Sequence, residues 1–343
     1  MQRYIASRAT ATPTAPNASI RLCAVGDLMW VPGDWKELFA EEVQTALGSG
    51  DLTVANLETP VDPSVPVPRA TYARFNAPPA LLDHLATAAP MVLSVCNNHA
   101  LDQGTAGLRR TVAEVNARPG MTPVGGVHAA NAAKVVEVSG RKIGVFVTTY
   151  GVNPWGPDRG DVLPPGLPIV HFGSEHHRPD WTVVVERVTS LRAAGAELVV
   201  AMPHWGFEFE YWPTARQRRD AYRLIELGVD IVIGSSPHVL QPIDLVSVNG
   251  ADPQCPVQQK RSGGPSMALI AYSLGNFLSS MPTAGCEVGG ILGVDIALDG
   301  SVEIGALNFQ PTVCQRRRVA TLRSLPPRRR TRYLPHVRRL LAK

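Results

Sequence analysis

The sequence predicts an α/β protein with mainly parallel strands in its first half and antiparallel strands at the C-terminus. Three observations predict it. Short apolar runs alternate with segments of helical periodicity through the first half, the alternation resumes at ELVVAM, and the last apolar runs follow one another with only turns between them.

In order along the chain, residues 1–19 are rich in Ala, Thr and Pro and are expected to form a disordered leader. IRLCAV predicts the first strand and WKELFAEEVQTAL a helix. DLTVAN, PALLDHLATA, MVLSVC and GLRRTVAEVNA continue strand, helix, strand, helix. KVVEVSGRKIGVFVTTY reads as a hairpin turning at Ser139-Gly140. From Gly151 to about Asp180 runs a Pro/Gly-rich loop of a length that is usually functional or mobile. ELVVAM, ARQRRDAYRLIELG and DIVIG repeat the earlier scheme. MALIAYSLGNFL, then GGILGVDIAL and SVEIGALNF joined by a turn at Asp299-Gly300, predict antiparallel strands. No internal repeat suggests a solenoid.

At 343 residues and 45% hydrophobic content the chain can bury a substantial core. No run approaches the ~18 apolar residues of a membrane span, and the opening residues lack the apolar centre of a secretory signal, so no transmembrane segment and a cytoplasmic location are expected. The cysteines, Cys23, Cys96, Cys255, Cys286 and Cys314, are odd in number and form no CxxC pair, which argues against a disulfide framework or a structural zinc site. Cys23 and Cys96 are expected in buried strands.

The net charge of +4 hides an asymmetry. Positions 311–343 hold eleven of the 33 basic residues and no acid, leaving 22 basic against 29 acidic residues elsewhere. Such a block reads as a solvated tail with a weak terminal helix, or as a docking segment for an anionic partner; nucleic-acid binding is the weaker idea. The expected division is a domain over 20–315 and a basic tail over 316–343.

Polar residues recur at one place, the carboxyl end of an apolar strand. CAVGD ends at Asp27, TVANLE at Asn56 and Glu58, SVCNNH at Asn97, Asn98 and His99, VVAMPHWG at His204, and IVIGSSPH at His238. Strand ends of an open α/β sheet share one edge, where ligands bind. Unpaired buried polar groups cost roughly 1–3 kcal/mol each, so their convergence there calls for a partner. Carboxylate, amide and imidazole together suit Mn, Fe or Zn better than Ca.

These residues resemble the CapA proteins of poly-γ-glutamate and capsule biosynthesis, whose domain is related to calcineurin-like metallophosphoesterases. The resemblance runs from about Leu22 to Phe277. It is carried by Gly26-Asp27, Ala55-Asn56-Leu57-Glu58, Asn97-Asn98-His99-Ala100-Leu101-Asp102-Gln103-Gly104, His204-Trp205-Gly206 with Glu208, Pro237-His238-Val239-Leu240-Gln241-Pro242 and Tyr272-Ser273-Leu274-Gly275-Asn276-Phe277. It implies a four-layered metallophosphoesterase-like sandwich holding one or two divalent metal ions, with Asp27, Asn56, Glu58, Asn98, His204 and His238 as ligands. His99 is implied to protonate or stabilise the leaving oxygen, with Asp102 orienting its loop and Glu208 either supporting the ligands from behind or facing the substrate. The implied reaction is attack by water or an amine on a phosphate ester, acyl phosphate or γ-glutamyl-type amide of an anionic, glutamate-containing substrate. A non-catalytic accessory subunit, docking to biosynthetic partner enzymes through the basic tail, is the alternative.

Two features depart from the family. Members commonly carry a histidine where this chain has Ser236, which implies that one metal is weakly held or absent, and many carry an N-terminal membrane anchor. His84 and His128 read as structural, and His171, Glu175, His176 and His177 as a surface loop. Phe75-Asn76-Ala77-Pro78 resembles a segment lining the family's site or is a helix entry. Asn276 and Glu287 are candidates for the cleft wall.

Overall fold

The apolar run at residue 20 becomes β1 (Ser19–Met29), the centre of an eight-stranded sheet in the computed structural model. The structure describes residues 19–341 apart from positions 34, 69–73, 88, 155, 158–162, 249–265, 299–301 and 316. The expected leader through residue 18, Cys255 and the turn Asp299-Gly300 lie outside the described residues.

After β1 come α1 (Glu41–Leu47), β2 (Leu52–Glu58), α2 (Ala80–Leu85), β3 (Met91–Ser94), α3 (Gly104–Asn116) and β4 (Met121–Val124). The hairpin β5 (Ala133–Val138) and β6 (Arg141–Thr149) follows, then α4 (Trp181–Ala193), β7 (Leu198–His204), α5 (Ala215–Glu226) and β8 (Ile231–Ile233). The chain ends through β9 (Ile243–Val248), β10 (Ser266–Ala271), β11 (Asn276–Leu278), β12 (Val288–Leu298), β13 (Val302–Gln315), β14 (Arg318–Thr321) and α6 (Pro327–Leu341).

Sheet one runs β14-β13-β12-β1-β2-β3-β4, with β11 beside β1; sheet two, of six strands, runs β5-β6-β7-β8-β10-β9. β1 to β4 are parallel, as are β6, β7, β8 and β10, whereas β12 to β14 are antiparallel. Alternation along the strands of sheet two explains the layering. Ile143, Val145, Val147, Leu198, Val200 and Met202 join the core shared with sheet one, while Phe146, Val199 and Ala201 pack with Val184, Val188 and Leu191 of α4 and Leu224 of α5. Apolar residues of α1, α2 and α3 cover sheet one. The result is helix, sheet, sheet, helix. Each fully buried Val, Leu or Ile contributes roughly 1.5–3 kcal/mol to holding the layers together.

Local chemistry sets the boundaries. Ser139 (φ 50°) and Gly140 (φ 73°) give the β5–β6 hairpin the left-handed pair its twist favours. Asp180 Oδ1 accepts from the Thr182 N–H at 3.0 Å and starts α4; Thr214 Oγ1 accepts from the Gln217 N–H at 3.0 Å and starts α5. The sequence reading missed α4, whose Thr and Val content weakens the helical signal, and the short strands β4 and β9. It also drew the first helix too long, because Phe39 forms a bridge with Val319 and α1 begins only at Glu41.

The expected division at residue 315 also differs from the structure. β14 pairs with β13, the Val319 N–H donates to the Leu38 carbonyl at 2.7 Å, and the Val319 carbonyl accepts from the Ala40 N–H at 2.9 Å. Tyr333 and Val337 of α6 bury against Leu240, Val288 and Val313. β14 and α6, through Tyr333 and Val337, are therefore packed on the body. Cys23, Cys96, Cys286 and Cys314 are buried free thiols; burial raises the pKa of each.

Candidate metal centre

Each functional side chain arrives on a strand end or the turn just after it. Asp27 sits where β1 leaves β12 and pairs with β2 and β11, aligned with Asn56 and Asn276. Gly26 permits this crossing, because a Cβ there would lie 1.8 Å from the Gly275 carbonyl oxygen. Glu58 ends β2, His204 ends β7, and His238 stands in the turn after β8. That turn is strained. Ser236 (φ 98°) and His238 (φ 59°) both occupy the left-handed region, at a cost of order 1–3 kcal/mol each.

Asp27, Glu58 and His238 each offer one ligand atom such that the three atoms lie within 4.8 Å of one another, all in buried side chains. His238 Nδ1 is 3.4 Å from Asp27 Oδ2, and its Nε2 is 3.8 Å from Glu58 Oε1. His204 Nε2 approaches Glu58 Oε1 at 3.3 Å. Glu58 Oε1, Asn98 Oδ1 and both ring nitrogens of His204 are buried without a hydrogen-bond partner. Buried polar atoms are paired in nearly all proteins, so the carboxylates of Asp27 and Glu58 with the imidazoles of His204 and His238 fit a divalent cation, and this mixed donor set fits Mn, Fe or Zn.

The electrostatics agree. Burial drives the Asp27 carboxyl above its usual range, and the neighbouring charge of Glu58 pushes it the same way. Burial acts on Glu58 in the same sense, yet the charges of His238 and His204 overcome it and hold Glu58 down to about 2. Burial works to lower His238, but Glu58 and Asp27 raise it to about 9. A proton held on His238 thus supplies positive charge beside these carboxylates.

Asn56 stands between the two carboxylates. Its Nδ2 donates to Asp27 Oδ1 at 2.8 Å and to Glu58 Oε2 at 3.2 Å, while its oxygen accepts from Asn97 Nδ2 at 3.1 Å. It ties the two carboxylates together. Asn97 also donates to the Leu57 carbonyl at 2.9 Å and so locks β2 to the turn after β3. In that turn His99 Nδ1 donates to Asp102 Oδ2 at 2.6 Å, which also accepts from the Phe75 N–H at 2.7 Å. The Phe75 ring lies on the imidazole, 3.9 Å between centroids and 7° from parallel. Asp102 and Phe75 therefore hold His99 in one orientation with Nε2 uncommitted to the carboxylate.

Glu208 is not in the cluster. It is exposed in the loop after His204, although its charge reaches His238 and Tyr150. Asn276 belongs to the site wall, its Oδ1 3.0 Å from His238 Nδ1, while Glu287 faces Arg332 at 3.5 Å. His84 is structural, its Nε2 2.6 Å from the Trp35 carbonyl. Glu175 pairs with Arg216 at 2.9 Å, and the His171 and His177 rings lie 4.6 Å apart on the surface. Two residues of the site escaped the sequence reading. Tyr150 stacks on His204, with 5.6 Å between centroids. Asn153 touches Asn98 and His99. Both follow β6, and extending the strand-end rule to that strand would have found them.

The family model described as bacterial capsule synthesis protein PGA_cap matches residues 17–281. The PGA biosynthesis protein CapA of Bacillus subtilis (strain 168) is 31% identical over 193 residues, covering 54% of this chain and 42% of that protein. A probable polyglutamine synthesis accessory protein of Mycobacterium tuberculosis is 28% identical over 224 residues, 63% of this chain and 57% of that one. The chain thus spans about half the length of the curated relatives it matches. A 5'-nucleotidase precursor from Thermus thermophilus superimposes with a TM-score of 0.44 at 15% identity, over 94% of this chain and 59% of that structure.

Proposed function

This chain belongs to the bacterial capsule synthesis protein PGA_cap family, and from that premise we propose that it is a metal-dependent hydrolase or transferase of capsule or poly-glutamate assembly. The observation that carries the reading is the buried Asp27, Glu58 and His238 set beside the unpaired atoms of Glu58, Asn98 and His204. Asp27, Glu58 and His238 would hold one divalent cation, with His204 and Asn98 as further ligands. A bound cation would lower the pKa of water and polarise a phosphoryl or carbonyl oxygen. The chain's own residues do the rest. Asn56 keeps the two carboxylates at a fixed separation, and Asp102 holds the Nδ1 proton of His99, so that Nε2 is the atom able to give or take a proton at the leaving oxygen. Substrates of this chemistry are phosphate esters, acyl phosphates and γ-glutamyl-type amides.

Elemental analysis of the purified protein tests this. Mn, Fe or Zn is expected near one equivalent in the native chain and below a tenth of that in Asp27→Ala and His238→Ala. Undiminished metal in both variants removes the centre.

A second reading has its own observation. Arg323, Arg328, Arg329, Arg332 and Arg338 are exposed along the C-terminal segment, and one relative is described as an accessory protein. In that reading the chain docks to an anionic polymer or a biosynthetic enzyme through α6. Reversing Arg328 and Arg329 to Glu would then abolish poly-glutamate binding while metal content stays intact.

A further inference from the structure

The chain that follows β6 crosses from one sheet to the other. Thr149 pairs with His204 in the β6–β7 register, and the Tyr150 N–H donates to the His204 carbonyl at 3.1 Å. Thr149 Oγ1 then donates to the Gly151 carbonyl at 2.8 Å and turns the backbone. Within two more residues the Asn153 N–H donates to the Asn98 carbonyl at 2.8 Å, joining this segment to the turn after β3. The Asn153 side chain meets both Asn98 and His99. Its Oδ1 accepts from Asn98 Nδ2 at 3.4 Å, and its Nδ2 lies 3.4 Å from His99 Nδ1 and 3.5 Å from Nε2.

An asparagine amide has two edges of nearly the same shape, one accepting and one donating, and its neighbours decide which edge faces a ligand. Only the oxygen edge can hold a cation. With Asn98 Nδ2 engaged by Asn153, Asn98 Oδ1 is left buried without a partner, in a residue only 5% exposed. An amide free to turn over would present its NH2 where the oxygen now stands about as readily, and a cation there would then meet hydrogens in place of a lone pair.

We propose that Asn153 is the positioning residue that fixes the Asn98 amide with its oxygen available to a metal ion, an inference that rests on the metal reading above. Partners of this kind typically change metal affinity 10–100-fold when removed. The backbone bond from Asn153 to Asn98 holds the two loops together whatever the side chain, so the amide contact can be tested apart from the fold.

The test is a Mn2+ titration followed by electron paramagnetic resonance on the full chain. Asn153→Leu keeps the branched shape and removes the acceptor, and a Kd about 10–100-fold weaker is expected. Asn153→Asp keeps an acceptor for Asn98 Nδ2, and binding at least as tight as in the native chain is expected. Asp27→Ala should bind no Mn2+ whatever Asn153 does. A Kd in folded Asn153→Leu within twofold of native, beside an Asp27→Ala that no longer binds, overturns the positioning role and leaves the metal centre standing. Native binding in Asp27→Ala removes both. Should Asn153→Leu not fold, weakened binding in folded Asn153→Asp overturns the role by itself.

Discussion

His238 is the residue on which the cation-free site turns. Glu58 and Asp27 raise its pKa from 6.5 to about 9 against the opposing effect of burial. Below pH 6.5 the imidazole is protonated in the folded and the unfolded chain alike, and its attraction to the carboxylates is fully present. As the pH rises through about 9 the folded state loses that proton and the contribution goes with it. EDTA-treated protein should therefore lose thermal stability between pH 6.5 and 9, and His238→Gln should flatten that limb. A Tm that does not change over this range in the native chain would show that His238 carries no proton there. Asp27, Glu58, His204 and His238 were all legible in the sequence, because each is a polar residue that ends an apolar run where the chain has little other use for one. Asn56 was legible as a site residue, but not the link it makes between the two carboxylates. Its two NH2 hydrogens face two carboxylates only once β1 and β2 align, a pairing the sequence does not display. Tyr150 and Asn153 follow a strand that reads as half of a hairpin, and they enter the site only through the pairing of β6 with β7.

At the scale of elements, the site depends on how closely β1 passes the turn leading into β11. The Asp27 N–H donates to the Gly275 carbonyl at 3.0 Å, and Gly275 (φ 66°) occupies a conformation that suits glycine. At Gly26 a methyl group would stand 1.8 Å from that same carbonyl oxygen, against backbone that has nowhere to move. Gly26→Ala should cost about 3 kcal/mol, the upper part of the usual range for overpacking, and should lower metal content with it, since the displaced strand carries Asp27. Gly151→Ala is the control. A Cβ there meets nothing within 4 Å, so stability should stay within about 0.5 kcal/mol of native. Urea unfolding of both variants, with equal midpoints as the adverse result, checks the claim. The strands nearest this crossing were the easiest to read, β1 and β2 being long and largely apolar. β4 and β9, at sheet edges, show no clear pattern, because β4 carries Pro123 and β9 is interrupted by Asp244 and Ser247 and is mostly half-buried.

Over the whole molecule, the C-terminal segment joins two roles that composition alone pulls apart. Eleven basic residues without an acid between positions 311 and 343 read as a solvated tail, yet Tyr333 and Val337, four residues apart on one face of α6, close the cluster formed by Leu240, Val288, Val313 and Leu322. Leu240 lies two residues beyond His238, and Val288 in β12 lies one residue from Gly289, which bridges to Gly275, so the helix supports the same end of the molecule as the metal centre. Truncation after residue 326 should therefore uncover apolar surface and lower Tm, and Tyr333→Ala alone should cost about 3 kcal/mol by the measure of large core deletions. Arg328→Glu with Arg329→Glu changes only exposed charge and should leave Tm within about 1 °C, since surface changes fall within ±0.5 kcal/mol. The comparison separates support from docking. Poly-glutamate affinity lost in the double charge reversal at unchanged Tm assigns the outward face to a partner, whereas unchanged affinity together with a destabilised Tyr333→Ala leaves α6 as a structural brace. A Tm unmoved by Tyr333→Ala would mean that the helix packs too loosely to be either brace or support, and would return residues 327–341 to the tail that their composition suggests.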